Sequence, residues 1–332
     1  MPLRRVTSAT LGVLAVSGLD RMRLDIMHTT HYGYSAPVSV AQHMAHLLPR
    51  QTPCQQVVSA QLDIDPEPTW RHQVVDHQGN HCHYFSLVQP HHRLSIRAHS
   101  VVDTRGPLAP TDELPALPWE LVRSHFEYRT GQPWDAANEY CYASRHVQPH
   151  DDFLAYAYQS FEPGRPLHEA AIDLMQRMHR DFAYVSHATD IHTPALEALS
   201  LRRGVCQDFA HIMLSCFRAL GLAARYVSGY LLTDPPDGQP RLIGSDASHA
   251  WVSLYIPGWP TGRLQASSNW LHLDPTNNRS GLGSPGEDYV CVAWGRDFAD
   301  VSPVRGVIHG GAQHTLEVGV TVMPVDTRVP HP

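Results

Sequence analysis

Between residues 201 and 222 the apolar residues recur with the period of an α-helix. In the segment LRRGVCQDFAHIMLSCFRALGL they stand at positions i, i+3, i+4, i+7, i+8 and i+11, counted from Phe209 to Leu220. This spacing predicts a helix with one face packed on a core. Gly221 is the residue type that commonly follows a helix end. The predicted helix places Cys206 in its first turn.

Helical and strand patterns surround this segment on either side. Helical spacing before it predicts helices over residues 136–145, 152–161 and 167–182. Apolar runs after it, separated by loops rich in Pro, Asp and Gly, predict strands over residues 224–232, 250–256 and 270–273. A helix followed by consecutive strands is typical of an α+β fold and not of alternating βαβ units.

Before residue 105 the apolar residues alternate with polar ones or cluster in short runs, as is typical of strands. Predicted strands cover residues 24–34, 57–64, 82–88 and 94–102, and DHQGNHCHYF carries a Gly-Asn turn signal. Pro and Gly then become frequent in RGPLAPTDELPALP, which indicates a linker. We divide the chain into an N-terminal extension (1–21), a β-rich domain (22–104), a Pro-rich linker with helices (105–165), a core domain (166–305) and a C-terminal strand and tail (306–332).

Composition narrows the classes of partner. The 332 residues include 32 acidic residues, 24 His and 25 basic residues, all of them Arg, and the formal net charge is −7. This negative balance argues against nucleic acid as a partner, because phosphate binding needs a cationic surface. The absence of Lys also means that the chain has no side-chain primary amine.

Cysteine usage and hydropathy bear on the compartment. Six Cys without a CxxC pair are too sparse for a disulfide scaffold, which favours the cytoplasm. No apolar run approaches the roughly 18 residues that span a bilayer, so we expect no membrane partner. The N-terminus does imitate a signal peptide, with Arg4 and Arg5 before LGVLAVSGL. Export is therefore the alternative location, and Met22 is an alternative start to Met1.

Cys206 has the surroundings that a nucleophilic thiol needs. The helix macrodipole favours the thiolate form there, and unpaired backbone N–H groups of the first turn can hold an oxyanion. Gly204 permits close approach. Acyl transfer also needs an imidazole and a group that orients it; His249 begins one predicted strand and Asp274 ends another. If these strands are neighbours, both side chains emerge at one sheet edge.

A Cys in an apolar helix is, however, most often a small buried hydrophobe. We interpret the other five cysteines in that way: Cys54, Cys82, Cys141, Cys216 and Cys291.

Three blocks in this region resemble the transglutaminase-like superfamily of papain-fold thiol enzymes. They are RRGVCQDFAHIMLSCFRALGLAARYVSGYL, DASHAWVSLYIPG and WLHLDPTNN, in the order Cys, His, Asp. MRLDIMHTTHYGYSAPV resembles the start of the N-terminal β domain of the bacterial branch, and VAWGRDFADVSPVRGV resembles its C-terminal block. The resemblance implies a papain-like α+β core, in which the Cys-bearing helix packs on an antiparallel sheet, preceded by a small β-rich N-terminal domain.

The resemblance also implies a role for each catalytic residue. Cys206 matches the nucleophile that attacks a carboxamide and forms a thioester, His249 the general acid and base, and Asp274 the residue that orients the imidazole. The backbone N–H of Cys206 is expected to contribute to the oxyanion hole, and Tyr184 is the candidate for a second donor.

Three more residues of these blocks have open roles. Asp208 and His211 belong to the first block, and Asp208 in the first helical turn has a structural explanation through the helix dipole. Trp251, next to His249, either covers the site or packs beside it.

A histidine-rich stretch offers an alternative reading as a metal site. Alternating His on one strand face can bind zinc, but an obvious further ligand at suitable spacing is absent from this stretch, and we interpret its histidines as solvated: His81, His83, His91 and His92. We expect no cofactor and no metal.

The sequence therefore predicts a transglutaminase-like cysteine acyltransferase, or a cysteine protease or amidase if water resolves the thioester. The expected partner is a protein or peptide that donates a Gln or amide carbonyl, with an amine as the possible acceptor. A non-catalytic protein-binding module is the alternative of a different class. The sequence leaves open the substrate and whether the chain forms a homo-oligomer.

Overall fold

The computed structural model describes residues 21–131, 133–186, 188–190, 193–233, 248–258 and 269–325. Its strands there are β1 (Arg21–Ala45), β2 (Gln55–Asp65), β3 (Trp70–Val75), β4 (His81–Leu87), β5 (His91–Arg105), β6 (Ala183–Tyr184), β7 (Arg203–Gly204), β8 (Ala224–Leu231), β9 (Ser248–Tyr255), β10 (Trp270–Asp274), β11 (Arg279–Leu282), β12 (Tyr289–Gly295), β13 (Val304–Gly310) and β14 (His314–Pro324). Its α-helices are α1 (Trp119–His125), α2 (Asp151–Tyr158), α3 (Leu167–Asp181), α4 (Ala195–Leu201), α5 (Cys206–Ala219) and α6 (Phe298–Val301).

The first sheet is organised around the long strand β1. Its strand order is β2-β5-β1-β4-β3, and β13 and β14 also pair with β1. Leu24, near the start of β1, lies between β5 and β14, whereas Ala41, near its end, lies between β4 and β13. Alternate residues of β1 are buried, as expected for a strand with one face on a core. Strands β13 and β14, the last two in the described residues, thus complete the sheet that β1 begins.

The second sheet carries the predicted core. It is antiparallel with the order β11-β10-β9-β8-β12. Helix α5 packs on one face, where Phe217 joins Val252 and Leu254 of β9 in the main hydrophobic cluster. Trp251 and Tyr289 belong to a separate cluster with Val227 and Cys291. A Cys-bearing helix packed on an antiparallel sheet is the architecture that the sequence predicts. The α+β prediction is confirmed.

Buried hydrogen bonds join the two sheets. The Gln55 side chain, at the start of β2, accepts from the backbone N–H of Cys291 at 2.7 Å and donates to its carbonyl oxygen at 2.8 Å. Gln55 thereby pairs with β12 as a further strand would. The β-rich sheet and the core are consequently bonded directly to each other.

One predicted helix is wrong. Residues 136–145 form only the short 3-10 helix Ala136–Cys141. The carbonyl oxygens that a longer helix would use accept from other side chains instead: Arg218 Nε donates to Tyr140 at 3.0 Å and Gln148 Nε2 donates to Ser144 at 2.6 Å. Hydrogen bonds from side chains thus replace helical ones at these two carbonyl oxygens.

The other predicted helices and the three core strands lie within one to three residues of the observed bounds. The predicted N-terminal extension falls outside the described residues, except for Arg21. The division into domains stays a prediction. In the described part of the chain, no helix combines the length and apolarity needed to cross a bilayer.

Candidate active site

Cys206 is the first residue of α5, and the segment before it is fixed by Asp208. The Asp208 carboxylate accepts from the backbone N–H of Val205 at 2.8 Å and from the Thr189 hydroxyl at 2.6 Å. A Cβ on Gly204 would lie only 2.5 Å from the Asp208 carboxylate, so this position requires glycine. Asp208 satisfies one N–H at the helix start, so this contact of Asp208 is structural.

His249 and Asp274 meet at one edge of the second sheet. Because β9 and β10 are antiparallel neighbours, the start of one strand lies beside the end of the other. His249 Nε2 is 2.7 Å from Asp274 Oδ2, and the two residues are 9% and 0% exposed. The Cys206 side chain also interacts with the His249 imidazole. Since Asp274 occupies Nε2, Nδ1 is the ring nitrogen left for the thiol. The structure therefore brings the three predicted residues together in the order Cys, His, Asp.

Asp274 receives more hydrogen bonds than the sequence suggested. Its Oδ2 atom also accepts from Asn277 Nδ2 at 2.8 Å and from the Tyr289 hydroxyl at 2.7 Å. Its Oδ1 atom accepts from the backbone N–H of Thr276 at 2.9 Å and of Asn277 at 3.3 Å. Burial opposes ionisation of Asp274, but the bonds from His249, Asn277 and Tyr289 outweigh it and hold its pKa below the usual value. Asp274 is thus a buried carboxylate in which both oxygens are fixed.

The pKa of His249 is shifted by its two partners, Asp274 and Cys206. Burial by itself would lower the pKa of the imidazole, but the hydrogen bonds to Asp274 and Cys206, together with their charges, raise the pKa to about 10. A protonated His249 carries an N–H on each ring nitrogen, so it can face the Asp274 carboxylate on one side and the Cys206 sulfur on the other.

Trp251 packs against the imidazole of His249. The two rings are stacked with centroids 6.0 Å apart, and Trp251 is buried. Its Nε1–H donates to His272 Nδ1 at 2.8 Å. Burial, with the nearby Arg225 charge, lowers the pKa of His272 to about 3, so His272 is a neutral acceptor. Gly229 leaves space for the indole, since a Cβ there would lie 2.6 Å from it. Trp251 therefore packs beneath the site and is fixed in position.

Tyr184 and His211 lie in very different places. Tyr184 is 53% exposed in β6 and pairs with Gly204, two residues before Cys206; partial burial and the nearby Cys206 and Asp208 raise its pKa. Its role as an oxyanion donor stays a prediction. His211 is buried, with its ring stacked on His146 at 5.1 Å, and it accepts from the Phe298 N–H at 3.3 Å. Burial lowers its pKa to about 3, and its contacts are structural.

The other five thiols are unlike the Cys206 thiol in their surroundings. Four are buried and Cys141 is partly buried. Burial raises the pKa of each to about 11 or 12. These thiols are protonated near neutral pH and agree with their interpretation as small packed side chains, although Cys82 has polar neighbours discussed below.

Two family profiles match the chain. The profile described as the bacterial transglutaminase-like N-terminal region matches residues 24–103, and that of the transglutaminase-like superfamily matches residues 155–275, which include Cys206, His249 and Asp274. An uncharacterized protein of Mycobacterium tuberculosis is 41% identical over 96% of this chain and 97% of its own length. The chain belongs to the transglutaminase-like superfamily.

The chain is also similar to a protein named for an enzyme activity and to a solved structure. A protein-glutamine gamma-glutamyltransferase of Pseudomonas aeruginosa is 32% identical over 31% of this chain and 15% of its own length. The crystal structure of a candidate cysteine protease from Cytophaga hutchinsonii covers 93% of both chains with a TM-score of 0.69 at 21% identity. The latter shows that the two-sheet fold is shared.

The raised pKa of His249 makes a contribution to the stability of this transglutaminase-like protein that depends on pH. The folded state binds the His249 proton more tightly than the unfolded chain does, where an imidazole has a pKa of about 6.5. The stabilisation is complete below about pH 6.5 and is lost as the pH rises through about 10. We therefore expect the free energy of unfolding of the wild type, relative to His249→Gln, to fall between neutral pH and about pH 10 in urea titrations.

His211→Gln is the matched control for this measurement. Because burial lowers the pKa of His211, this residue is neutral in both the folded and unfolded states above neutral pH. The difference between wild type and His211→Gln should stay constant over the same range. A constant difference for His249→Gln as well would contradict a raised pKa of His249.

Sequence reasoning missed two residues that hold Asp274. Asn277 lies in the DPTNN turn, where the Asp-Pro start and the following Asn residues were a usable signal for a side-chain-bonded turn. Tyr289 lies in β12 and reaches Asp274 only because the strands pair as they do. No local pattern around Tyr289 indicates this contact.

Proposed function

We propose that this protein is a thiol acyltransferase that forms a thioester between Cys206 and the carbonyl carbon of a glutamine side chain or peptide amide. The observation that carries the proposal is the buried His249–Asp274 pair, 2.7 Å apart, whose imidazole interacts with the Cys206 side chain at the start of α5. This arrangement supplies a nucleophile, a proton carrier and a buried countercharge in contact with each other.

In the first half-reaction the Cys206 thiolate attacks the carboxamide carbon, and a carbon–sulfur bond forms. The negative charge moves to the carbonyl oxygen, where the free backbone N–H groups at the start of α5 are suited to stabilise it. The carbon–nitrogen bond then breaks, and the His249 imidazolium gives its proton to the departing ammonia or amine. The products are a thioester and a neutral imidazole.

In the second half-reaction an acceptor attacks the thioester. His249 takes a proton from the acceptor, the carbon–sulfur bond breaks and the Cys206 thiolate is restored beside the imidazolium. We propose a primary amine as the acceptor, in keeping with the activity described for the Pseudomonas aeruginosa relative. Hydrolysis is the second candidate, because Cys206 is partly exposed and water can reach it.

The two outcomes are separated by one assay. The protein is incubated with a short peptide containing Gln and an excess of a small primary amine, and products are measured by mass spectrometry together with released ammonia. We expect the peptide–amine conjugate to exceed the free acid, and Cys206→Ala to form neither. Since the chain contains no Lys, it offers no side-chain amine that would compete with the added one.

Three other results would contradict the expected transfer to an amine. Free acid alone at saturating amine would overturn transfer and support hydrolysis. No product from Gln peptides, but cleavage within a peptide library, would indicate a protease. No turnover of either kind, with Cys206 unreactive towards alkylation, would overturn the enzyme proposal in favour of a binding module.

A further inference from the structure

A second group of potential ligands lies away from the active site, where the β-rich sheet meets the core. His46 follows β1, Asp76 lies in the turn between β3 and β4, and Cys82 is in β4. Their ligand atoms all lie within 4.8 Å of one another. His46 Nε2 is 3.0 Å from Cys82 Sγ, and Asp76 Oδ2 is 3.8 Å from the same sulfur. Both His46 and Cys82 are only 2% exposed.

The His46 ring is oriented with one nitrogen towards this group. Its Nδ1 atom lies 3.2 Å from the backbone carbonyl oxygen of Ser302. A carbonyl oxygen only accepts, so Nδ1 carries the proton and Nε2 of the neutral ring presents a lone pair to Cys82. Histidines that bind metals are commonly fixed in this way by a carbonyl on the opposite nitrogen.

Asp76 is fixed as firmly by its own turn. Its Oδ1 atom accepts from the backbone N–H groups of Gln78 at 2.9 Å and Asn80 at 2.8 Å. Its Oδ2 atom accepts from Asn80 Nδ2 at 2.9 Å and keeps a second lone pair on the side of Cys82. The carboxylate is therefore held in place before anything binds to it.

The group contains more acceptors than the available proton can satisfy. The Cys82 sulfur faces His46 Nε2, Asp76 Oδ2 and, at 3.8 Å, the backbone oxygen of Asn80. A thiol has one proton and can donate it to one of these atoms. Several lone pairs thus converge on one buried point, which is where a cation is best accommodated.

We propose that His46, Asp76 and Cys82 form a binding site for one divalent transition-metal ion of the zinc class. Zinc takes imidazole, thiolate and carboxylate ligands together. Its usual bond lengths place tetrahedral donor atoms about 3.4 to 3.6 Å apart, and the observed separations of 3.0 and 3.8 Å from the sulfur lie on either side of that range. On binding, Cys82 releases its proton to water. The thiolate and carboxylate then balance the charge of the dication, and water fills the fourth position.

This metal would tie the two sheets together. Asn80, which holds Asp76, also donates to the Trp294 carbonyl oxygen at 2.8 Å and accepts from its N–H at 2.9 Å in β12. Ser302, which holds His46, lies just before β13. The site is thus bonded to the core on two sides, and its role is structural, not catalytic.

Cobalt is the probe for this proposal, because a thiolate bound to Co²⁺ gives a charge-transfer band that histidine side chains cannot produce. The full chain is prepared without a tag and with Cys206→Ser, so that the active-site thiol cannot contribute. We expect one tightly held Co²⁺ or Zn²⁺ per chain, the charge-transfer band with cobalt, and a higher midpoint of thermal unfolding with zinc. Adding Cys82→Ser should remove the band, and adding Cys54→Ser, at another buried cysteine of the same region, should leave it.

Asp76→Asn provides a second variant in case Cys82→Ser does not fold. It keeps the thiol and should weaken metal affinity at least tenfold, with the cobalt band retained at high metal concentration. Absence of the band at excess cobalt in the Cys206→Ser protein would overturn the proposal. So would a band that persists in folded Cys82→Ser, or an affinity unchanged in Asp76→Asn.

Discussion

Replacing Cys206 by Ala is expected to abolish both turnover and alkylation by a low dose of iodoacetamide near neutral pH. Cys206 is the partly exposed thiol that interacts with His249, whereas burial raises the pKa of each of the other thiols. Loss of the nucleophile removes the covalent route, and the expected fall in rate is on the order of a millionfold. Mass spectrometry of the intact protein after alkylation measures the first effect, and ammonia release from a Gln peptide measures the second.

Cys216→Ala is the matched control, since Cys216 lies in the same helix but is fully buried in the core. Its pKa is raised by burial to about 12. This variant should be alkylated at the wild-type rate and keep its turnover, at some cost in stability. Equal labelling of the two variants would contradict the claim that Cys206 is the activated thiol.

Replacing Asp274 by Asn is expected to lower kcat/KM by about a thousandfold to ten-thousandfold. Both carboxylate oxygens accept hydrogen bonds only from donors, namely His249, Asn277 and Tyr289 on one side and backbone N–H groups on the other. Whichever way the Asn amide is turned, its NH₂ group faces a donor. The variant therefore loses the negative charge beside His249 and gains a buried mismatch, and its free energy of unfolding should fall as well.

Tyr289→Phe separates these two effects. It removes one donor to Oδ2 but leaves the carboxylate and its charge, so kcat/KM should fall much less than in Asp274→Asn. Because the pKa of Asp274 is held down partly by Tyr289, the acidic limb of the pH profile should move to higher pH. Wild-type kcat/KM in folded Asp274→Asn would show that the charge beside His249 is unimportant.

The candidate residues Cys206, His249 and Asp274 could be proposed from the sequence because the family resemblance assigns their roles and each stands at the end of an element. Helical spacing located the start of α5, and the apolar runs located the start of β9 and the end of β10. Antiparallel pairing then brings those strand ends to one edge. Residues such as Tyr289 could not be found in this way, because their contacts depend on which strands become neighbours and in what register.

The group of His46, Asp76 and Cys82 also could not be found from local sequence patterns. The sequence drew attention to His81 and His83, but neighbouring residues of a strand point to opposite faces. The residue between them, Cys82, faces ligands contributed by the end of β1 and by a turn. Local spacing draws attention to the other face of β4, and the three residues come together only because β1 pairs with β4.

The position of β1 between β5 and the C-terminal strands has a consequence for how the chain is made. Ribosomes release β1 before β13 and β14, so Leu24 cannot meet Pro324 until the two later strands have emerged. Until then one edge of a long strand offers unpaired backbone groups, which can recruit another chain. Completion of the first sheet therefore waits for β14, and its long-range strand pairing predicts slow folding. A chain truncated after residue 303 would leave exposed the edge of β1 that pairs with β13 and β14. We expect such a chain to self-associate.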